Sequence, residues 1–111
     1  ADRLALLSDP TRRRICAILG SPDPPVSERD LAVELATRAL DATAAEITAA
    51  QRRRHRIRLR HHQLPKLADY GLVVYDQPTG TVSLTALGAE ALTVHTAARR
   101  ATPSVATVSP D

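Results

Sequence analysis

The chain has 111 residues, with fifteen Lys and Arg against twelve Asp and Glu and a net charge of +3. It has no Phe, Trp or Met, two Tyr and one Cys, which predicts one domain with a modest aliphatic core. The same composition excludes an internal disulfide framework and an intrachain thiolate metal cluster, and it disfavours binding single strands or RNA by aromatic base stacking.

The first segment, Asp2 to Leu19, carries Leu4, Leu7, Ile15, Ile18 and Leu19 as an apolar helical face. Ser8-Asp-Pro-Thr11 interrupts it, with Ser8 or Asp9 as N-cap and Pro10 in the first turn. This predicts a short N-terminal helix and a main helix over Pro10 to Leu19, stopped at Gly20. Cys16 falls in this run and is expected to pack as a small hydrophobe. Ser21 to Pro25 reads as a loop. Ser27 caps a second helix over about Glu28 to Thr37, with Leu31 and Leu35 on its buried face. Arg38 to Ala42 reads as a break.

Thr43-Ala-Ala-Glu46 is a capping box, so a third helix is expected from about Ala44 towards Tyr70. Ile57, His61, Leu64 and Ala68 would be its inward face. Arg56-Ile-Arg-Leu-Arg60 also alternates as a strand would, but helical signals flank it on both sides. Pro65 should kink this helix or restart its last turn. Leu72 to Tyr75 and Thr81 to Leu84 form a β-hairpin around Asp76 to Gly80. Thr85 caps a final helix that fades near Arg99 and Arg100. Residues 1–100 thus form the domain, and 101–111 a tail without helical period, read as disordered. The expected class is mainly α with a small β-hairpin. The order α-α-α-β-β-α is that of a winged helix-turn-helix.

Charge is unevenly spread. Thr48 to Ala68 holds Arg52, Arg53, Arg54, Arg56, Arg58, Arg60 and Lys66 and no acidic residue, leaving eight basic and twelve acidic residues elsewhere. A +7 segment on a chain otherwise at −4 suits a polyanion, since each neutralised phosphate releases counterions. On a helical third segment, Arg58, Arg60 and His62 are the expected contacts to DNA base edges. Arg52, Arg53, Arg54, Arg56 and Lys66 are the expected phosphate contacts. Arg12, Arg13 and Arg14 either reach phosphate beside that helix or cover a neighbouring helix with their stems.

Other chemistries find no support. His55, His61, His62 and His95 lack metal-ligand spacing. There is no Gly-rich phosphate loop, nucleophile motif or close carboxylate pair. No enzyme, metal, cofactor or small-molecule substrate is expected. No apolar run reaches the ~20 residues of a membrane span, and no signal peptide is visible. A cytoplasmic protein is expected.

Leu7-Ser-Asp-Pro-Thr-Arg-Arg-Arg-Ile15 resembles the first-helix signature of the ArsR-like winged-helix regulators. Ser27 to Ala36 resembles their second helix. His62-Gln-Leu-Pro-Lys-Leu-Ala-Asp-Tyr-Gly-Leu-Val73 resembles the end of their recognition helix, and Leu84-Thr-Ala-Leu-Gly88 the helix after the wing. Within that group the chain is similar to an uncharacterised winged-helix family of halophilic archaea. The resemblance spans roughly Leu4 to Leu92. It implies a transcription regulator that binds double-stranded DNA as a homodimer, with Leu4, Leu87, Ala91 and Val94 at the dimer interface.

The chain departs from that pattern in four ways. Arg38 to Ala50 is inserted before the recognition helix. The wing has no Lys or Arg and carries Asp76. The metal-sensing cysteine pairs are absent. The overall charge is basic, whereas proteins adapted to high internal salt are usually acidic. The first two favour an alternative, a protein-interaction module whose basic helix docks on an acidic partner. A membrane-surface role lacks the Trp or Phe anchors such helices carry.

Overall fold

The computed structural model describes residues 3–20 and 24–108, with side chains in the range 4–100. Its elements in chain order are α1 (Arg3–Leu6), α2 (Pro10–Leu19), β1 (Val26–Ser27), α3 (Glu28–Leu40), α4 (Ala49–Arg58), α5 (Leu64–Asp69), β2 (Val73–Asp76), β3 (Thr81–Leu84) and α6 (Ala86–Val108). A 3-10 turn at Ala44–Glu46 precedes α4, and a π-helical turn at Leu59–Gln63 joins α4 to α5. The fold is mainly helical, with a small antiparallel sheet in the order β1-β3-β2.

Asp9 is the N-cap of α2, accepting from the Thr11 backbone N–H at 2.9 Å, and Pro10 opens the helix. Arg12 and Arg13 close the joint between α1 and α2. Arg12 donates to the Leu6 carbonyl and Arg13 to the carbonyls of Leu7 and Ser8. The Leu6 carbonyl also accepts from the Asp9 N–H at 3.4 Å.

The sheet has a strand that the hairpin reading lacks. Val26 pairs with Val82, and Ser27 with Thr81. Two residues are too short for an alternation to show in a sequence, and Pro24-Pro25 beside them reads as loop. The loop expected at Ser21 to Pro25 lies partly outside the described residues, at 21–23.

The second helix extends further than expected, to Leu40, and Asp41 takes the left-handed conformation that ends it. Residues 38–40 are good helix formers, and Arg38 reaches Glu34 at 3.6 Å across one turn, so the expected break begins only at Asp41. The third helix starts later than expected, at Ala49. The Thr43–Glu46 box closes only the 3-10 turn, and a second box starts the helix. There the Thr48 hydroxyl accepts from the Gln51 N–H at 3.1 Å, and the Gln51 side chain accepts from the Thr48 N–H at 2.9 Å.

The helical path from Ala49 to Asp69 is one piece with a shifted register. The Leu64 N–H bonds to the Leu59 carbonyl, five residues back. Pro65 accounts for the place, because its ring would press on the His61 carbonyl in a regular helix. The shift also corrects the expected inward face. Leu59, Leu64 and Leu67 are buried, whereas Ile57 is 46% exposed and His61 is exposed. In a regular α-helix, residues five apart point about 140° away from each other. One wider turn brings Leu59 and Leu64 to the same core.

That core is aliphatic, as composition requires. Leu7, Ile15, Cys16, Leu31, Leu59, Leu64, Leu67, Leu72, Val82 and Leu84 are all essentially inaccessible. Burial pushes the Cys16 thiol up to about 11, so it stays protonated and inert. Gly88 lets α6 approach the hairpin, since a Cβ there would run into the Leu72 carbonyl oxygen and meet Leu84 Cδ1 at 2.7 Å. Thr85 fixes the same corner, donating to the Gly71 carbonyl and accepting from the Gly88 N–H. α6 continues to Val108, past Arg99 and Arg100. The remainder of the expected tail, 109–111, lies outside the described residues.

Candidate nucleic-acid interface

α4 crosses α3, and its arginines divide into two sets. Arg52, Arg53, Arg54 and Arg58 are exposed. Among the described residues, no carboxylate pairs with any of these four. Arg52 donates to the Ile47 carbonyl at 3.3 Å, which steers its stem along the start of α4.

Arg56 and Arg60 instead turn towards Glu28, whose side chain is 2% exposed. Arg60 Nη1 donates to Glu28 Oε1 at 2.9 Å, and the Tyr75 hydroxyl donates to Oε2 at 2.7 Å. Arg56 Nη2 lies 3.8 Å from Oε1. The Glu28 backbone N–H donates to the Gly80 carbonyl at 2.7 Å. Glu28 therefore ties the basic helix and strand β2 to the start of α3 through its carboxylate, and the hairpin turn through its backbone N–H. The Tyr75 hydroxyl is pushed up to about 12, first by burial and then by its hydrogen bond to Glu28.

Glu28 is the residue that sequence reading missed. It stands beside the Ser27 cap, where an acidic residue is explained by the helix dipole alone. Arg29 was missed for a similar reason, being one basic residue in a mixed helix. In space Arg29 joins Arg52, Arg53 and Arg56 around an open groove of about 590 Å³ between α3 and α4, with Asp30 on its rim.

On the π turn, His61 and His62 are exposed, and Gln63 accepts from Arg12 Nε at 3.1 Å. Lys66 lies further along, its ammonium 5.8 Å from the centre of the Tyr70 ring. The structure thus leaves Arg58 and His62 open, and holds Arg60 by one edge. The described side chains contain no group of three or more His, Cys, Asp or Glu that could hold a metal ion.

Residues 4–83 match the model of a family described as Domain of unknown function (DUF7344). The chain belongs to that family. The DUF7344 segment contains the whole basic helix, Glu28 and Tyr75, and ends within β3, so α6 lies outside it. No curated protein and no solved structure matches the chain.

The four residues expected at a dimer interface separate in the DUF7344 chain. Leu4, Leu87 and Val94 are 42%, 38% and 46% exposed, whereas Ala91 is 7% exposed and belongs to the chain's own core. No helix among the described residues is long and apolar enough to cross a membrane.

Proposed function

We propose that this chain is a winged helix-turn-helix regulator of the ArsR-like kind that binds double-stranded DNA, with α4 and the π turn in the major groove. The observation that carries the reading is the outer face of α4. Arg52, Arg53, Arg54 and Arg58 are exposed around this helix without a carboxylate partner among the described residues, Arg52 and Arg53 on the Arg29 groove and Arg58 on the opposite flank. Four guanidiniums on one short helix repel one another unless a polyanion compensates.

In this reading Arg58, Arg60 and His62 reach base edges. Arg60 has five N–H donors, and Glu28 holds one edge of the group, which orients the rest before DNA arrives. Arg29, Arg52, Arg53, Arg54, Arg56 and Lys66 meet phosphates. The hairpin is the wing. Leu4, Leu87 and Val94 join two copies into a homodimer that reads a two-fold site. The function is binding without catalysis, performed in the cytoplasm.

The test is fluorescence anisotropy with a random-sequence duplex roughly three helical turns long, over a salt series. Tight binding is expected, with a log–log salt slope of about −0.9 per phosphate neutralised. Arg58→Ala should relax the sequence preference at one position by about 1–3 kcal/mol, while Arg53→Ala weakens all duplexes alike. A second reading rests on the hairpin, which carries no Lys or Arg and exposes Asp76. There the basic helix docks on an acidic protein. Absence of DNA binding at low salt would select that reading.

A further inference from the structure

On the opposite flank of α4 a second cleft opens between α2, α3 and the π turn, with a volume of about 160 Å³. Arg14 and Arg58 line it with His55 and Gln63, and Leu35 and Leu59 provide its apolar part. No Asp or Glu among the described residues lines it. Neither Arg14 nor Arg58 has a carboxylate partner among the described residues.

We propose that this cleft binds a small aliphatic monocarboxylate, with its carboxylate between Arg14 and Arg58 and its alkyl part against Leu35 and Leu59. Charge complementarity carries the assignment. Two guanidiniums that share a partly enclosed cleft repel each other, and one carboxylate relieves both through charge-assisted hydrogen bonds. Gln63 is already fixed through its oxygen by Arg12 Nε at 3.1 Å, which leaves its amide N–H groups as donors. His55 is held below its ordinary value by burial first and then by Arg58 and Arg54, which marks this flank of α4 as electropositive. Size agrees as well, because an apolar cavity of about 150 Å³ takes a ligand as large as benzene. A second carboxylate would meet Leu35 or Leu59, which selects against dicarboxylates, and phosphate has no alkyl part to place against those two leucines. The π turn that shapes one wall is a helix irregularity frequent at functional sites.

Arg58 is shared with the DNA face, so ligand and DNA compete for it. That consequence rests on the DNA-binding reading, whereas the cleft does not. The experiment titrates DNA-free protein with sodium butyrate at constant ionic strength. It follows the His55 ring and the Ala39 and Leu59 amides by NMR. Saturable shifts at these positions are expected. Arg14→Gln should weaken binding about tenfold, the loss of one hydrogen bond to a charged group. Ala39→Leu fills the cleft from its α3 wall and should abolish binding while the amide spectrum stays dispersed. Butanol and inorganic phosphate should each bind at least about tenfold more weakly. Shifts that never saturate, that butanol or phosphate reproduces, or that survive both substitutions would overturn the site. Butyrate should then lower DNA affinity in the wild-type chain but not in Ala39→Leu. If DNA does not bind at all, the butyrate titration still decides the cleft on its own.

Discussion

Glu28 and Arg60 meet at 2.9 Å across thirty-two residues of sequence, with the carboxylate almost wholly buried and the guanidinium partly open to solvent. The contact makes the first residue of α3 a ruler for the basic helix. It explains how a segment of seven positive charges keeps one defined orientation. Removing the carboxylate should therefore affect both stability and recognition. Glu28→Ala leaves Arg60 and Tyr75 without their acceptor. Partial exposure of Arg60 limits the loss to about 1–3 kcal/mol, readable as a lower urea midpoint. Glu28→Gln keeps an acceptor oxygen and should lose less. Equal stability of Glu28→Ala and wild type would show that the network holds nothing.

Tyr75 should make alkaline stability fall with pH. Its hydroxyl titrates near 12 in the folded chain and near 10 when unfolded. Between these values the unfolded chain has lost a proton that the folded chain retains. The contribution is complete below about 10 and disappears as pH rises towards 12. Tyrosinate absorbance should show Tyr75 ionising later in native protein than in urea. Coincident titration in both states would remove the Glu28 bond from the account.

The π turn makes a prediction that separates neighbours two residues apart. Leu59 is 1% exposed and Ile57 is 46% exposed. Leu59→Ala should cost about 2–5 kcal/mol, whereas Ile57→Ala should stay within about 0.5. Chemical denaturation of the two variants decides the register. The reverse order would restore a regular helix with Ile57 inward.

Gly88→Ala sets two effects against each other. Alanine favours a helix by about 1 kcal/mol over glycine. Its Cβ, however, would occupy the space of the Leu72 carbonyl oxygen, which is backbone and cannot swing aside. The clash should win, lowering stability by about 1–3 kcal/mol in thermal melting. A raised melting temperature would mean that α6 can lift off the hairpin at little cost.

Much of this protein was legible in local signals. Asp9-Pro10, Ser27 and Thr85 mark helix starts, Gly20 marks a stop, and the β-prone runs around Asp76 to Gly80 mark the hairpin. Each acts within about four residues of chain, the reach of a cap or a turn. The aliphatic core and the run of arginines follow from composition. Other features depended on partners distant in sequence. Val26 and Ser27 became a strand because β3 offered a free edge. Leu59 became the core residue because Pro65 widened the turn before it. Ala91 faces its own core, whereas Leu4, Leu87 and Val94 are exposed. Glu28 reads in one dimension as a favourable charge at a helix start. Its burial, and its hold on Arg60 and Tyr75, exist only because α3, α4 and β2 converge. Where the main helices and the hairpin form, and where positive charge gathers, depend on neighbours along the chain and can be read from residue order. Tertiary structure decided which arginines stay open and which are held, because a buried carboxylate's choice of partner depends on contacts through space.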